Sequence, residues 1–177
     1  DEVWRPDMVV FDLDPGEPAA FAECAQVGLW LRESLDGLGL RCLPKTSGSK
    51  GLQLYVPLNT PVTYDETKSF ARALAQIGER AHPELVVSNM AKELRTGKVL
   101  IDWSQNDEHK TTVSVYSLRA RPAPTVSAPL HWAEVEAAAA GGPVPRIEAG
   151  EAVRRLESDG DLFAPLVELE QRLPAFG

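Results

Sequence analysis

The segment that most limits how this chain folds is Asp7–Leu13 (DMVVFDL), a short apolar run of β-favouring residues that ends at Pro15-Gly16. Proline cannot donate to a sheet ladder and glycine accepts a sharp bend, so the run reads as a buried strand closed by a turn. Pro18–Leu38 predicts a helix, because Phe21, Cys24, Leu31, Leu35 and Leu38 recur at helical spacing and Gly37 and Gly39 stop it. Leu40–Lys45 and Leu52–Pro57 predict strands on either side of a glycine-containing loop, Thr46–Gly51. Asp65–Ala81 predicts a second helix, with Phe70, Leu74 and Ile77 on one face and Thr63 or Asp65 as its cap. Leu85–Ser88, Lys98–Trp103 and Thr111–Tyr116 read as further strands. Strands and helices interleave, which gives an α/β or α+β fold: a mixed β-sheet flanked by helices.

From Arg121 the character changes. RPAPTVSAP is rich in proline and small residues and predicts an extended crossing segment. Trp132–Ala140, Glu148–Ser158 and Leu162–Leu173 predict helices. The expected organisation is one domain over residues 1–177, with a core at about 7–121 and an extended segment with helices at 122–177. The chain begins at Asp1 and not at Met, as a segment of a longer protein would.

Composition narrows the functional classes. No apolar run reaches the roughly 18–20 residues of a membrane helix, and the acidic start DEVWRPDM has no signal-peptide pattern. Two cysteines, Cys24 and Cys42, make neither a disulfide framework nor a four-cysteine zinc site, which suits reduced thiols in the cytoplasm. His82, His109 and His131 lie too far apart in sequence to suggest a histidine-built metal centre. The net charge of −8 argues against a nonspecific nucleic-acid coat. Residues 41–121 nevertheless carry 12 basic and 8 acidic side chains, between two acidic flanks. Such a basic centre suits an anion such as a nucleoside triphosphate, or is solvated charge on helix faces.

Three constellations could carry chemistry. Asp12 and Asp14 are two residues apart at a strand's end, so both carboxylates share one face. Their repulsion is relieved by a hard divalent cation, or they reach solvent and cap the Pro15-Gly16 turn. In Lys45-Thr46-Ser47-Gly48-Ser49-Lys50-Gly51, Gly48 and Gly51 let the backbone turn tightly and aim N–H groups at an anion, while Ser47, Ser49, Lys45 and Lys50 add donors. The Walker A spacing is absent and no helix is expected after the loop; the plainer reading is a flexible hairpin with solvent-facing lysines. Asp102 ends a third apolar strand and is followed by Gln105 and Asn106. A third carboxylate is what a two-metal site needs, or it caps the turn at Ser104. Lys110, Arg119 and Arg121 are nearby cations able to neutralise phosphate, or they are surface charge. Used together, these features fit phosphoryl or nucleotidyl transfer.

VVFDLDPGE, KTSGSKGLQLYVPL, KVLIDWSQN and TTVSVYSLRARPAPTVSAP resemble, in order and spacing, the polymerase domain of bacterial ATP-dependent DNA ligase D, within the archaeo-eukaryotic primase superfamily. The resemblance runs from about Asp7 to Val135. It implies a primase-polymerase catalytic core in which Asp12, Asp14 and Asp102 hold two Mn²⁺ or Mg²⁺ ions. Asp102 would serve mainly the ion near the primer 3′-hydroxyl. Ser47, Lys50 and Arg119 would contact the incoming triphosphate, with Gln105 and Lys110 as subsidiary contacts. The implied activity is nucleotide addition to DNA ends or gaps in non-homologous end joining, alongside ligase and end-binding proteins, in the cytoplasm at the nucleoid. Two departures stand out. The loop motif of the family usually ends in His, where this chain has Gln53, which can donate a hydrogen bond to phosphate but carries no charge. A basic segment that precedes DLDP in the family is not in this sequence, which implies weak DNA binding by this chain alone.

Two other readings use fewer of these residues. One is a catalytically weak or inactive nucleotide- or partner-binding module of an end-joining complex, resting on Gln53 and the missing basic segment. The other is a haloacid-dehalogenase-type phosphatase with Asp12 as nucleophile, but the Thr usual two residues beyond the second Asp is here Gly16.

Overall fold

The computed structural model describes residues 5–120 and 124–174. Five strands form one mixed sheet in the order β2-β3-β1-β5-β4: β1 is Met8–Pro15, β2 Leu43–Thr46, β3 Leu52–Pro57, β4 Val86–Val87 and β5 Val99–Asp102. β1 runs antiparallel to β3 and β5, β2 antiparallel to β3, and β4 parallel to β5. The apolar run that opens the chain is therefore the central strand, paired on both edges.

Its alternation decides what lies on each face. Val9, Phe11 and Leu13 are wholly buried, together with Leu52, Leu54, Val56, Val99 and Ile101. Against them pack α1 (Phe21–Gly37), through Phe21, Leu31 and Leu35, and α2 (Tyr64–Ala81), through Phe70 and Leu74. Each such side chain contributes about 1.5–3 kcal/mol on burial. α2 starts one residue earlier than the pattern suggests, at a reciprocal cap: Thr63 Oγ1 accepts from the Glu66 N–H and the Glu66 carboxylate accepts from the Thr63 N–H at 2.8 Å. On the opposite face Val10, Leu43 and Tyr55 close over Phe163. The residues in register beyond them are polar.

Three segments depart from the sequence expectation. Leu40–Lys45 begins as a strand only at Leu43. Thr111–Tyr116 forms no strand: its alternating pattern finds no sheet edge to pair with, and β-propensity is little more than fitness for such an edge. It runs as an open segment held by Tyr55 Oη on the Val113 carbonyl (3.3 Å) and by the Tyr116 N–H on the Ser127 carbonyl (2.8 Å). A short hairpin follows instead, β6 (Leu118–Arg119) with β7 (Thr125–Val126). Leu162–Leu173 is helical only over Pro165–Glu168 (α5). Asn59 Nδ2 takes the carbonyls of Leu166 and Leu169 (3.0 and 2.9 Å), and the Gln171 N–H donates to the Leu58 carbonyl (2.8 Å), which draws the chain off a helical path.

α3 (Trp132–Ala139) packs on α1, and α4 (Ala149–Asp159) on β7. Residues 124–130 are extended, as the proline-rich composition predicts; Arg121–Ala123 lie outside the described residues. This segment covers the free edge of β2, through the Thr46 N–H on the Ala128 carbonyl (2.9 Å) and the Leu130 N–H on the Pro44 carbonyl (3.0 Å). Cys24 and Cys42 are buried free thiols. Among the described residues no helix is long and apolar enough to cross a membrane.

Candidate active site

The register of the sheet builds the site. Lys45 on β2 lies opposite Gln53 on β3, Gln53 opposite Asp12 on β1, and Asp12 opposite Asp102 on β5. Directly opposed residues of antiparallel strands project from the same face, with neighbouring strands about 4.8 Å apart. The four residues thus form one transverse polar row, and Asp14 joins Asp12 on that face two residues along. Sequence spacing places Asp12 beside Asp14; only the strand order brings Asp102 next to them.

Asp12 is half-buried. Its carboxyl is pushed up from 3.8 to about 6, first by burial and then by Asp14 and Asp102, against a hydrogen bond from Gln53 and the charge of Lys45. Asp14 is exposed, and its Oδ2 lies 3.8 Å from Arg95 Nη1. Asp102 Oδ1 accepts from the Ser104 N–H (2.9 Å) and Ser104 Oγ (2.6 Å), and Oδ2 from Gln105 Nε2 (2.9 Å). The turn-capping role is therefore real for Asp102.

The Asp12 shift has a measurable consequence. The folded chain holds this proton more tightly than the unfolded chain does, so Asp12 adds stability below about pH 4 that is lost as pH rises through about 6. In thermal unfolding, Asp12→Asn is expected to gain on the parent between about pH 4 and 6 and to stay ahead at about pH 7. Parallel curves across that range would contradict the assignment.

The loop after β2 is a tight turn between antiparallel strands, held by its own hydrogen bonds. Ser47 Oγ accepts from the N–H groups of Ser49 (3.2 Å) and Gly51 (3.1 Å), and Thr46 Oγ1 accepts from the Gly48 N–H (3.1 Å). Gly48 has φ +70°, and a Cβ there would stand 2.6 Å from Arg119 Cγ. The absent side chain is what seats Arg119 directly on the loop. Lys50 Nζ lies 2.6 Å from Glu17 Oε1, with both side chains largely exposed.

A polar cleft of about 230 Å³ opens over the row. Its walls include Asp12, Asp14, Ser47, Lys50, Gln53, Gln105 and Arg119, with Thr111, Thr112 and Val113 opposite the loop. Asp102 adjoins it through Gln105. Gly48 lies beneath Arg119, and Lys110 is exposed on the loop after β5; neither lines the cleft. A larger cavity of about 700 Å³, at Thr60, Glu66 and Arg172, gathers no comparable set of groups.

Two residues behave otherwise than their sequence setting suggests. Lys45, placed by composition among solvent-facing loop cations, is wholly buried, and burial pushes its ammonium down to about 7. Asn106, grouped with Gln105 as an amide beside the site, is buried and bonds the β1 backbone. Thr111–Val113 are cleft residues that the strand reading of this segment does not reveal.

A mixed sheet with carboxylates on adjacent antiparallel strands, facing a Ser/Gly/Lys turn, is the architecture of a primase-type polymerase core. The family model described as LigD, primase-polymerase domain, matches residues 1–163, and the chain belongs to that family. It is 47% identical over 158 residues to the multifunctional non-homologous end joining DNA repair protein LigD of Mycobacterium tuberculosis, covering 89% of this chain and 20% of that protein. With the bifunctional non-homologous end joining protein LigD of Bacillus subtilis it shares 39% identity over 133 residues, covering 75% of this chain and 22% of that one. The solved polymerase domain of Mycobacterium tuberculosis ligase D in complex with DNA superimposes with a TM-score of 0.86 at 45% identity, over 93% of this chain and 56% of that chain. The chain thus spans about a fifth of the length of the full-length relatives. Family membership displaces the phosphatase reading, and Gly16 supplies a physical reason: a Cβ there would lie 1.9 Å from the Arg95 carbonyl oxygen, so no hydroxyl-bearing side chain fits.

Proposed function

We propose that this chain is the catalytic part of a DNA repair primase-polymerase, adding nucleotides to DNA ends or gaps by metal-dependent nucleotidyl transfer during non-homologous end joining. The observation that carries the proposal is the register setting Asp12 opposite Asp102, with Asp14 on the same face and a polar cleft alongside.

The donor chemistry fits a hard divalent cation: three carboxylate groups, one of them pushed up to about 6 by burial and by its two acidic neighbours. Asp12, Asp14 and Asp102 would hold two Mn²⁺ or Mg²⁺ ions. Among the described residues no three His, Cys, Asp or Glu side chains are already drawn together to hold an ion. Asp14 is turned towards Arg95, and Asp102 towards Ser104 and Gln105. Completing the site requires side-chain rotation on a backbone that is already in place. When bound, such ions lower the pKa of the primer 3′-hydroxyl and stabilise the pyrophosphate leaving group.

The remaining residues bind and orient the nucleotide. Arg119, whose stem is seated on Gly48, offers a guanidinium at the cleft wall for bidentate phosphate contact. Ser47 Oγ already accepts two backbone N–H groups and keeps its hydroxyl proton for a phosphate oxygen. Lys50 is held by Glu17 in an exposed, solvent-screened pair, which a triphosphate outcompetes. Gln53 and Gln105 add amide donors, and Lys110 acts from outside the cleft. DNA ends or a gapped duplex, a ligase and end-binding proteins are the partners this activity requires.

The test is nucleotide incorporation on a 5′-phosphorylated gapped duplex with nucleoside triphosphate and Mn²⁺. Template-dependent extension that stops on chelation is the expected result. A second reading, a nucleotide-binding module without turnover, is favoured by Gln53 standing where the resemblance leads one to expect a histidine. Calorimetric binding of triphosphate with no extension under these conditions would select it.

A further inference from the structure

Lys45 is the one fully buried charged side chain among the described residues, and the cleft does not use it directly. Burying an ammonium is costly unless its donors are satisfied. Here Nζ donates to Gln53 Oε1 (2.5 Å) and Ser127 Oγ (2.6 Å), and it sits 5.2 Å from the Tyr55 ring centroid. Ser127 is fixed in turn, its Oγ donating to the Thr46 carbonyl at 2.9 Å. The crossing segment 124–130 thus closes over Lys45 from the side opposite Gln53.

Because Nζ donates to Oε1, the Gln53 atom facing Lys45 is the carbonyl oxygen. The amide NH₂ is then forced the other way, towards Asp12 and the cleft. The flipped amide would set its NH₂ against the ammonium and its oxygen against the Asp12 carboxylate, two repulsive contacts at once. We propose that Lys45 is a positioning residue: it locks the Gln53 amide so that this side chain presents N–H donors, and never its oxygen, to a triphosphate in the cleft. The inference rests on reading the cleft as a triphosphate site. It gives a neutral side chain a fixed donor polarity, with the charge that enforces it kept one layer below the surface.

A double-mutant cycle on calorimetric affinity for a nucleoside triphosphate with Mn²⁺ tests the lock. Lys45→Met keeps the unbranched apolar stem and removes the donor at its end, and thermal unfolding confirms that the variant folds. It is expected to weaken binding about tenfold in the parent, the cost of one oriented hydrogen bond to a charged group. In a Gln53→Met background the same change is expected to cost less than about twofold, because its mediator is gone. Gln53→Glu, which leaves Lys45 paired and the sheet intact, presents no N–H and is expected to bind at least about tenfold more weakly than the parent. Equal losses for Lys45→Met in both backgrounds, no loss in the parent, or full binding by Gln53→Glu would each overturn the lock alone. A parent that binds no triphosphate overturns it together with the reading of the cleft.

Discussion

Asp12→Ala and Asp102→Asn are each expected to reduce metal-dependent primer extension by about a thousandfold or more. A bound divalent cation contributes several kcal/mol of transition-state stabilisation, and each 1.36 kcal/mol is about tenfold in rate. Removing a carboxylate from the row removes that term, because Asp12 and Asp102 face each other directly and no other acidic residue is in register with them. Asp102→Asn keeps an oxygen at the position that accepts from the Ser104 N–H and hydroxyl, so the turn after β5 stays capped. The loss therefore reports the site and not the fold. Single-turnover extension against the parent is the measurement, with thermal unfolding as the control. Two variants that extend as the parent does would remove the acidic row from the chemistry.

Asn106→Ala is expected to destabilise the fold strongly. Asn106 Oδ1 accepts from the Val10 N–H (2.8 Å), and its Nδ2 donates to the carbonyls of Val10 (2.8 Å) and Trp103 (2.9 Å). β1 pairs with β5 only from Asp12 to Pro15, so Val10 has no ladder partner on that edge. The side-chain amide takes the place of the missing strand. Alanine leaves a buried N–H and a buried C=O without partners, at about 1–3 kcal/mol each. For a chain of this size that lowers Tm by about 10 °C. A change of less than about 2 °C would show that water or a shifted backbone replaces the amide. Because Val10 lies two residues before Asp12, the same variant is also expected to loosen the row.

How much of this was legible beforehand follows from what each residue's environment depends on. β1, α1 and α2 are visible because their apolar periodicity is local, and the proline and glycines that end them act where they stand. The pairing of Asp12 with Asp102 is not visible, since it depends on β5 entering the sheet beside β1 from ninety positions away. Lys45 shows the same limit from the other side. Its loop neighbours suggest a surface cation, and only the return of residues 124–130 over β2 buries it. Thr111–Tyr116 alternates as a strand does but meets no free edge, and Leu162–Leu173 loses its helix to Asn59 and to the carbonyls of Pro57 and Leu58, groups that its own pattern cannot register. Asn106 carries a mixed signal. An amide after an acidic strand end suggests ligand contact, whereas its hydrogen bonds complete a ladder.

A crystal structure of the chain with Mn²⁺ and a nucleoside triphosphate decides whether the acidic row holds metal beside the nucleotide. Anomalous density for metal is expected between Asp12, Asp14 and Asp102, with Asp14 released from Arg95 and the phosphates against Ser47, Lys50 and Arg119. Triphosphate bound elsewhere, or manganese absent from the acidic row while the nucleotide occupies the cleft, would contradict that expectation.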